Sequence, residues 1–183
     1  MSQDITKRPQ TTGEEIANTI SHGIGALLAA VGGVPLVIKG VMAGSAKAGA
    51  SLTFYAITLV LLYTASAVYH GVRNPELKRV LRIMDHCSIF LLILGTYVPL
   101  SLLVVGGRTG WALFLTNTAL AVVGITLNAI SLTRFDKISL VLYALMGWLV
   151  VLALRTILQV LAPAGVAPVS YTHLRAHETD QYL

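Results

Sequence analysis

Runs of about twenty apolar residues, separated by only short polar stretches, constrain this chain more than any other feature. A bilayer core is about 30 Å thick, and a helix rising 1.5 Å per residue needs about 20 apolar residues to cross it. Residues 20–42, 50–70, 85–105, 110–132 and 138–161 meet that requirement. Backbone in hydrocarbon must satisfy its hydrogen bonds within the segment, so these runs read as helices. The predicted fold is an all-α polytopic transmembrane bundle with five spans. Only 11% of the 183 residues are charged, against about 25% in a soluble domain, and mean hydropathy is +0.75.

The net charge of +5 would fit nucleic acid in a soluble protein. Here the cations lie mostly in short connections, where topology and anionic headgroups account for them. Membrane lipids are therefore the expected partners and nucleic acid is not; homo-oligomerisation is left open. Cys87 is the lone cysteine and permits no internal disulfide. No cleavable signal is evident, since residues 1–13 are polar and the first apolar run is too long for a signal core. Lys7, Arg8, Arg73, Lys78, Arg79, Arg82, Arg134 and Lys137 flank alternate ends of the spans, against Lys39, Lys47 and Arg108 at the others. The positive-inside rule then places residues 1–15 in the cytoplasm, which suits a bacterial inner membrane protein. It also brings His22, His70 and Asp85 to the same cytoplasmic depth.

That end holds most of the side chains able to do chemistry. Ser66 and His70 are four apart and share a helix face. A short basic loop separates them from Asp85 and His86, which open the third span. An ionisable group at the centre of a membrane helix costs roughly 2.5–3.5 kcal/mol, and less near its end, so Asp85 marks function unless Arg79 or Arg82 neutralises it. A histidine beside an outer carboxylate suits zinc, but one imidazole is not a site, which usually takes three protein ligands. His86 points about 100° away from Asp85 and reads as a packing or hydrogen-bonding residue. His22 is a third polar contributor, equally suited to a buried hydrogen bond. Asn18, Thr96, Tyr97, Asn117 and Asn128 are candidates for interhelical hydrogen bonds. Gly95 and Pro99 predict a kink. No glycine-rich nucleotide loop, cysteine pair or HExxH motif is present.

EEIANTISHGIG, the SAVYH close of the second span, the DHCSIFLLILGTYVP opening of the third and YALMGW in the fifth together resemble the bacterial hemolysin-III family. That family belongs to the progestin and adipoQ receptor superfamily and is similar to alkaline ceramidase-type membrane hydrolases. The resemblance covers about residues 14–165. It implies seven helices and a zinc ion held near the cytoplasmic face by three histidines. His70 would be a zinc ligand, Ser66 a polar neighbour in the catalytic site, and Asp85 the group that orients a zinc-bound water. The family's other two ligands come from a histidine-x-x-x-histidine motif on a seventh helix. Here residues 166–183, VAPVSYTHLRAHETDQYL, depart from the family and read as a disordered, artefactual tail. His173 and His177 repeat the spacing, but five spans would deliver them to the opposite face, about 30 Å from His70. The resemblance thus implies a zinc-dependent lipid amide or ester hydrolase when intact and an inactive fragment here. A receptor-like or membrane-homeostasis protein with a structural metal, and a pore-forming cytolysin, are the alternatives.

Overall fold

A computed structural model describes residues 10–179, with side chains as far as residue 159. It is all-helical over these residues, with four long apolar helices where the sequence predicts five spans.

Helix α1 (Thr12–Met42) starts on a capping box. Thr11 Oγ1 accepts from the Glu14 amide at 3.3 Å, and Glu14 returns a bond to the Thr11 amide at 2.7 Å, satisfying two of the donors that a helix start leaves orphaned. Helix α2 (Ala46–Gly71) is capped by Ser45. The two pack through small residues: a Cβ on Gly33 would lie 3.2 Å from Ala56, and Gly40 lies against Gly49. Without lipid-excluding hydrophobic force between them, membrane helices associate through such close backbone approach.

Helix α3 (Pro75–Pro99) begins ten residues before the apolar run predicted to start at Asp85. Asn74 caps it by accepting from the Glu76 and Leu77 amides, and Pro75 stands at its first position, where a missing N–H costs nothing. The expected basic loop shrinks to residues 72–74, and Lys78, Arg79 and Arg82 become residues of the first helical turns. At Pro99 the predicted kink takes the form of a six-residue π-helical turn, Leu100–Val105. Proline breaks the i→i−4 ladder, and the wider spiral carries the chain on to Gly106 and Gly107, whose positive φ angles of 64° and 56° reverse it.

Helix α4 (Gly107–Thr179) replaces the last two predicted spans and their 133–137 loop. Ser131 has extended angles, φ −165° and ψ 105°, and its Oγ accepts from the Arg134 amide at 3.4 Å. That is an N-cap, so a new helix starts there. Contacts across the break show an antiparallel return: Ser139 Oγ donates to Asn128 Oδ1 at 2.6 Å and Asn117 Nδ2 donates to the Met146 carbonyl at 3.4 Å. Leu113, further along, packs with Ala153 and Ile157. The backbone is helical through Thr179, so residues 166–179 are helical where the sequence predicts a disordered tail. Residues 180–183 of that tail and residues 1–9 of the predicted cytoplasmic segment lie outside the described residues.

The core lies between α3 and both arms of α4, around the fully buried Phe90 and Met146 with Leu94, Val98, Ala121 and Leu142. Gly124 makes room for the Phe90 ring. Tyr97 Oη donates to the Gly147 carbonyl at 3.0 Å, and Tyr143 Oη to the His86 carbonyl at 2.9 Å. Tyr97, Asn117 and Asn128 therefore join helix segments as expected, whereas Thr96 bonds the Leu92 carbonyl of its own helix.

Candidate functional site

The short connection between α2 and α3 holds the end of one beside the start of the other. The capped start of α1 lies against both. Glu15, Thr19 and His22 of α1 have i, i+4, i+7 spacing and so share one face. That face meets His70 of α2 and Lys78 of α3.

Glu15 ties the three helices together. Its Oε2 lies 2.7 Å from His70 Nδ1 and its Oε1 2.6 Å from Lys78 Nζ. The groups are partly shielded, with side chains 10% exposed for His70, 20% for Glu15 and 28% for Lys78. An ionised carboxylate only accepts, so Nδ1 carries the imidazole proton and a neutral His70 keeps Nε2 as its free donor atom for a ligand. Glu15 precedes the apolar part of α1. Burial alone would raise its pKa, but the hydrogen bonds from Lys78 and His70 outweigh burial and hold it below the ordinary carboxylate value. The Lys78 ammonium also lies 5.3 Å from the centre of the Tyr69 ring, and Tyr69 packs on His70 at 4.6 Å.

Deeper along α2, buried Ser66 faces the Asp85 carboxylate, which also faces His86 at 3.5 Å. His86 Nδ1 donates to the Arg82 carbonyl at 2.9 Å, the hydrogen-bonding role read from its angular position. His22 stacks on His70 with ring centres 5.9 Å apart and planes 13° apart, and its buried Nδ1 has no hydrogen-bond partner among the described residues. The structure thus brings Ser66, His70, Asp85 and His22 to one end of the bundle. It pairs Ser66 with Asp85 and His70 with Glu15. Glu15 is the residue that sequence reasoning passed over, although its spacing to Thr19 and His22 was available.

A cleft of about 550 Å³ opens here, lined in part by Glu15, Thr19, His70, Arg73 and Lys78. It offers an imidazole, a carboxylate and two cations to a polar ligand. The set does not fit a zinc ion: among the described residues no three His, Cys, Asp or Glu side chains are grouped to hold a metal. The side chains of His173 and His177 lie outside the described residues.

The family model described as Haemolysin-III related matches residues 10–177. Hemolysin-3 of Bacillus cereus is 36% identical over 165 residues, covering 90% of this chain and 75% of its own length. A hemolysin-3 homolog of Bacillus subtilis (strain 168) is 37% identical over 155 residues, covering 85% of this chain and 73% of its own. No solved structure matches.

Proposed function

The chain belongs to the Haemolysin-III related family, and on that premise we propose that it is a bacterial inner-membrane protein whose His70 cleft receives the polar part of a membrane lipid. In this reading both arms of α4 cross the bilayer, giving five crossings with residues 1–15 in the cytoplasm. The cap at Ser131 and the antiparallel return behind it support the count. The cationic residues at the ends of α2 and α3 support the orientation.

One observation carries the proposal: Glu15 joins His70 and Lys78 from three helices at the mouth of a polar cleft, beside the Ser66–Asp85 pair. Arg73 and Lys78 suit an anionic or strongly polar headgroup, and the apolar faces alongside suit its chains. Hydrolysis of a lipid amide or ester belongs to a chain with a complete zinc ligand set. Among the described residues this chain contributes His70 toward such a set, with Ser66 and Asp85 nearby, and no hydrolytic step is assigned to it. The protein then binds lipid without turnover and holds zinc weakly.

Metal content and lipid turnover of the purified protein test this reading together. Zinc well below one per chain and no released fatty acid are expected. Stoichiometric zinc with release of fatty acid from a lipid amide or ester would overturn it.

A structural, receptor-like role draws support from the same clamp, because Glu15 binds helix to helix as directly as it lines the cleft. Exchanging Arg73, which lines the cleft but lies outside the clamp, for Gln separates the two: it weakens lipid capture if the cleft is the working part and leaves it intact if the cluster only holds the bundle. The cytolysin reading predicts dye leakage from liposomes that neither Asp85 nor His70 controls. Large apolar side chains such as Leu27, Val31, Leu140 and Leu152 face outward along the helices, which supports lipid contact over a polar pore lining.

A further inference from the structure

A second cleft lies at the opposite end of the bundle from the histidines. Lys47 and His70 are 23 residues apart on α2, about 35 Å at 1.5 Å per residue, which places them at opposite membrane faces. The cleft has a volume of about 360 Å³ and separates α2 from α3 and the first arm of α4. Its walls are Phe54, Leu94, Val98, Leu102 and Phe114, and Lys47 stands at its lip. From Lys47 to Phe54 it follows α2 for about 10 Å, the depth of much of one leaflet's hydrocarbon.

Charge at the lip is unbalanced. Lys47 is exposed and has no ion-pair partner among the described residues. It stands in the first turn of α2, which holds no acidic residue, so the ammonium adds to the positive end of the helix dipole where an anion would be favoured. The ammonium is thus free to meet a negative group from outside the chain. Below it the walls are hydrocarbon apart from two hydroxyls, those of the buried Ser51 and of Thr118, the latter already bonded to the Phe114 carbonyl at 2.7 Å. The cleft is too short to enclose a whole acyl chain, and Phe54 and nearby Leu103 remain 37% exposed toward the lipid side. An occupant with its head at Lys47 and its chain partly in the cleft, partly among neighbouring lipids, fits these dimensions.

The geometry points to a binding site for one anionic phospholipid of the surrounding leaflet, its phosphate on Lys47 and one acyl chain along Phe54, Val98 and Phe114. The site is independent of the histidine cleft, and neither needs the other to be occupied.

Native mass spectrometry of the full chain, released from nanodiscs of phosphatidylcholine and phosphatidylglycerol, tests it. The expected result is one tightly held lipid per chain, with phosphatidylglycerol favoured over phosphatidylcholine by about fivefold, the effect of a single lysine beside an anionic headgroup. Lys47→Gln, an exposed change that spares the packing, should abolish that preference for the last lipid retained. Ala50→Trp, which fills the cleft beside Lys47, should remove the lipid altogether. The proposal is overturned if wild type holds both lipids equally, if Lys47→Gln keeps the preference, or if a free fatty acid replaces phosphatidylglycerol at equal concentration.

Discussion

Replacing Glu15 with Gln keeps the shape of the α1 start and removes its charge. In the wild type one carboxylate accepts from His70 at 2.7 Å and from Lys78 at 2.6 Å. An amide has one acceptor oxygen: turned toward Lys78 it leaves its NH2 group facing His70, which must move its proton from Nδ1 to Nε2 to accept, and turned toward His70 it sets hydrogen against hydrogen at Lys78. Hydrogen bonds to charged groups contribute about 1.5–3 kcal/mol each when shielded, whereas exposed ion pairs contribute about 0–1 kcal/mol. With Glu15 20% exposed and Lys78 28% exposed, the pair lies between these limits, and the loss should be about 1–3 kcal/mol in total. Reversible unfolding in mixed micelles measures it, and double-mutant cycles with Lys78→Met and His70→Gln divide it between the partners. The difference between wild type and variant also depends on pH. The folded pKa of Glu15 lies below its ordinary 4.5, so its contribution is complete above the ordinary value and is lost as pH falls through the folded one. The gap should therefore stand at neutral pH and close in acid. Coupling energies within a few tenths of a kcal/mol of zero for both partners would refute the three-helix clamp, as would a gap that widens in acid.

Three further changes probe the packing that carries the site. Gly124→Ala sets two effects against each other: alanine favours a helix by about 1 kcal/mol, but its Cβ would collide with the buried Phe90 ring, and overpacking costs about 1–3 kcal/mol; the net change should be destabilising in a thermal melt and be relieved by adding Phe90→Leu. Ser131→Ala removes the cap between the arms of α4 and should cost about 1 kcal/mol, while Ser131→Gly should cost only a few tenths, in the same unfolding assay. Gly110→Ala would drive a Cβ into the Ser101 carbonyl, a backbone atom that cannot swing aside as a flexible side chain can, so loss of folded yield in detergent is expected with no rescue by changing a neighbouring side chain.

The all-helical class was legible because apolar length alone constrains a chain in hydrocarbon, and the common depth of His22, His70 and Asp85 followed from counting cations at the span ends. Helix boundaries were less legible, because hydropathy marks where lipid begins and capping chemistry marks where a helix begins. At α3 the two differ by ten residues: Asn74 and Pro75 start the helix, and apolar residues dominate only after Asp85. At Ser131 they differ in the other direction. A five-residue polar stretch reads as a loop, yet one serine with extended angles is enough to end one arm and cap the next.

The site divides along the same line. Ser66 and His70 were visible as a pair because i, i+4 spacing is a property of one helix, and the structure keeps them on one side of α2. Their partners were not visible, because a pairing between helices depends on the angle at which two faces meet. Glu15 reaches His70 across 55 positions of sequence and Lys78 across 63, and two adjacent glutamates at the start of α1 look alike until the capping box takes Glu14 and turns Glu15 inward. Once Glu15 holds Nδ1, a neutral His70 can offer a ligand only Nε2, and that restriction follows from the cap at Thr11 as much as from the histidine itself. A change at Thr11 that frays the first turn should therefore loosen His70 without touching it, and raise hydrogen exchange at α1 and at the end of α2 together.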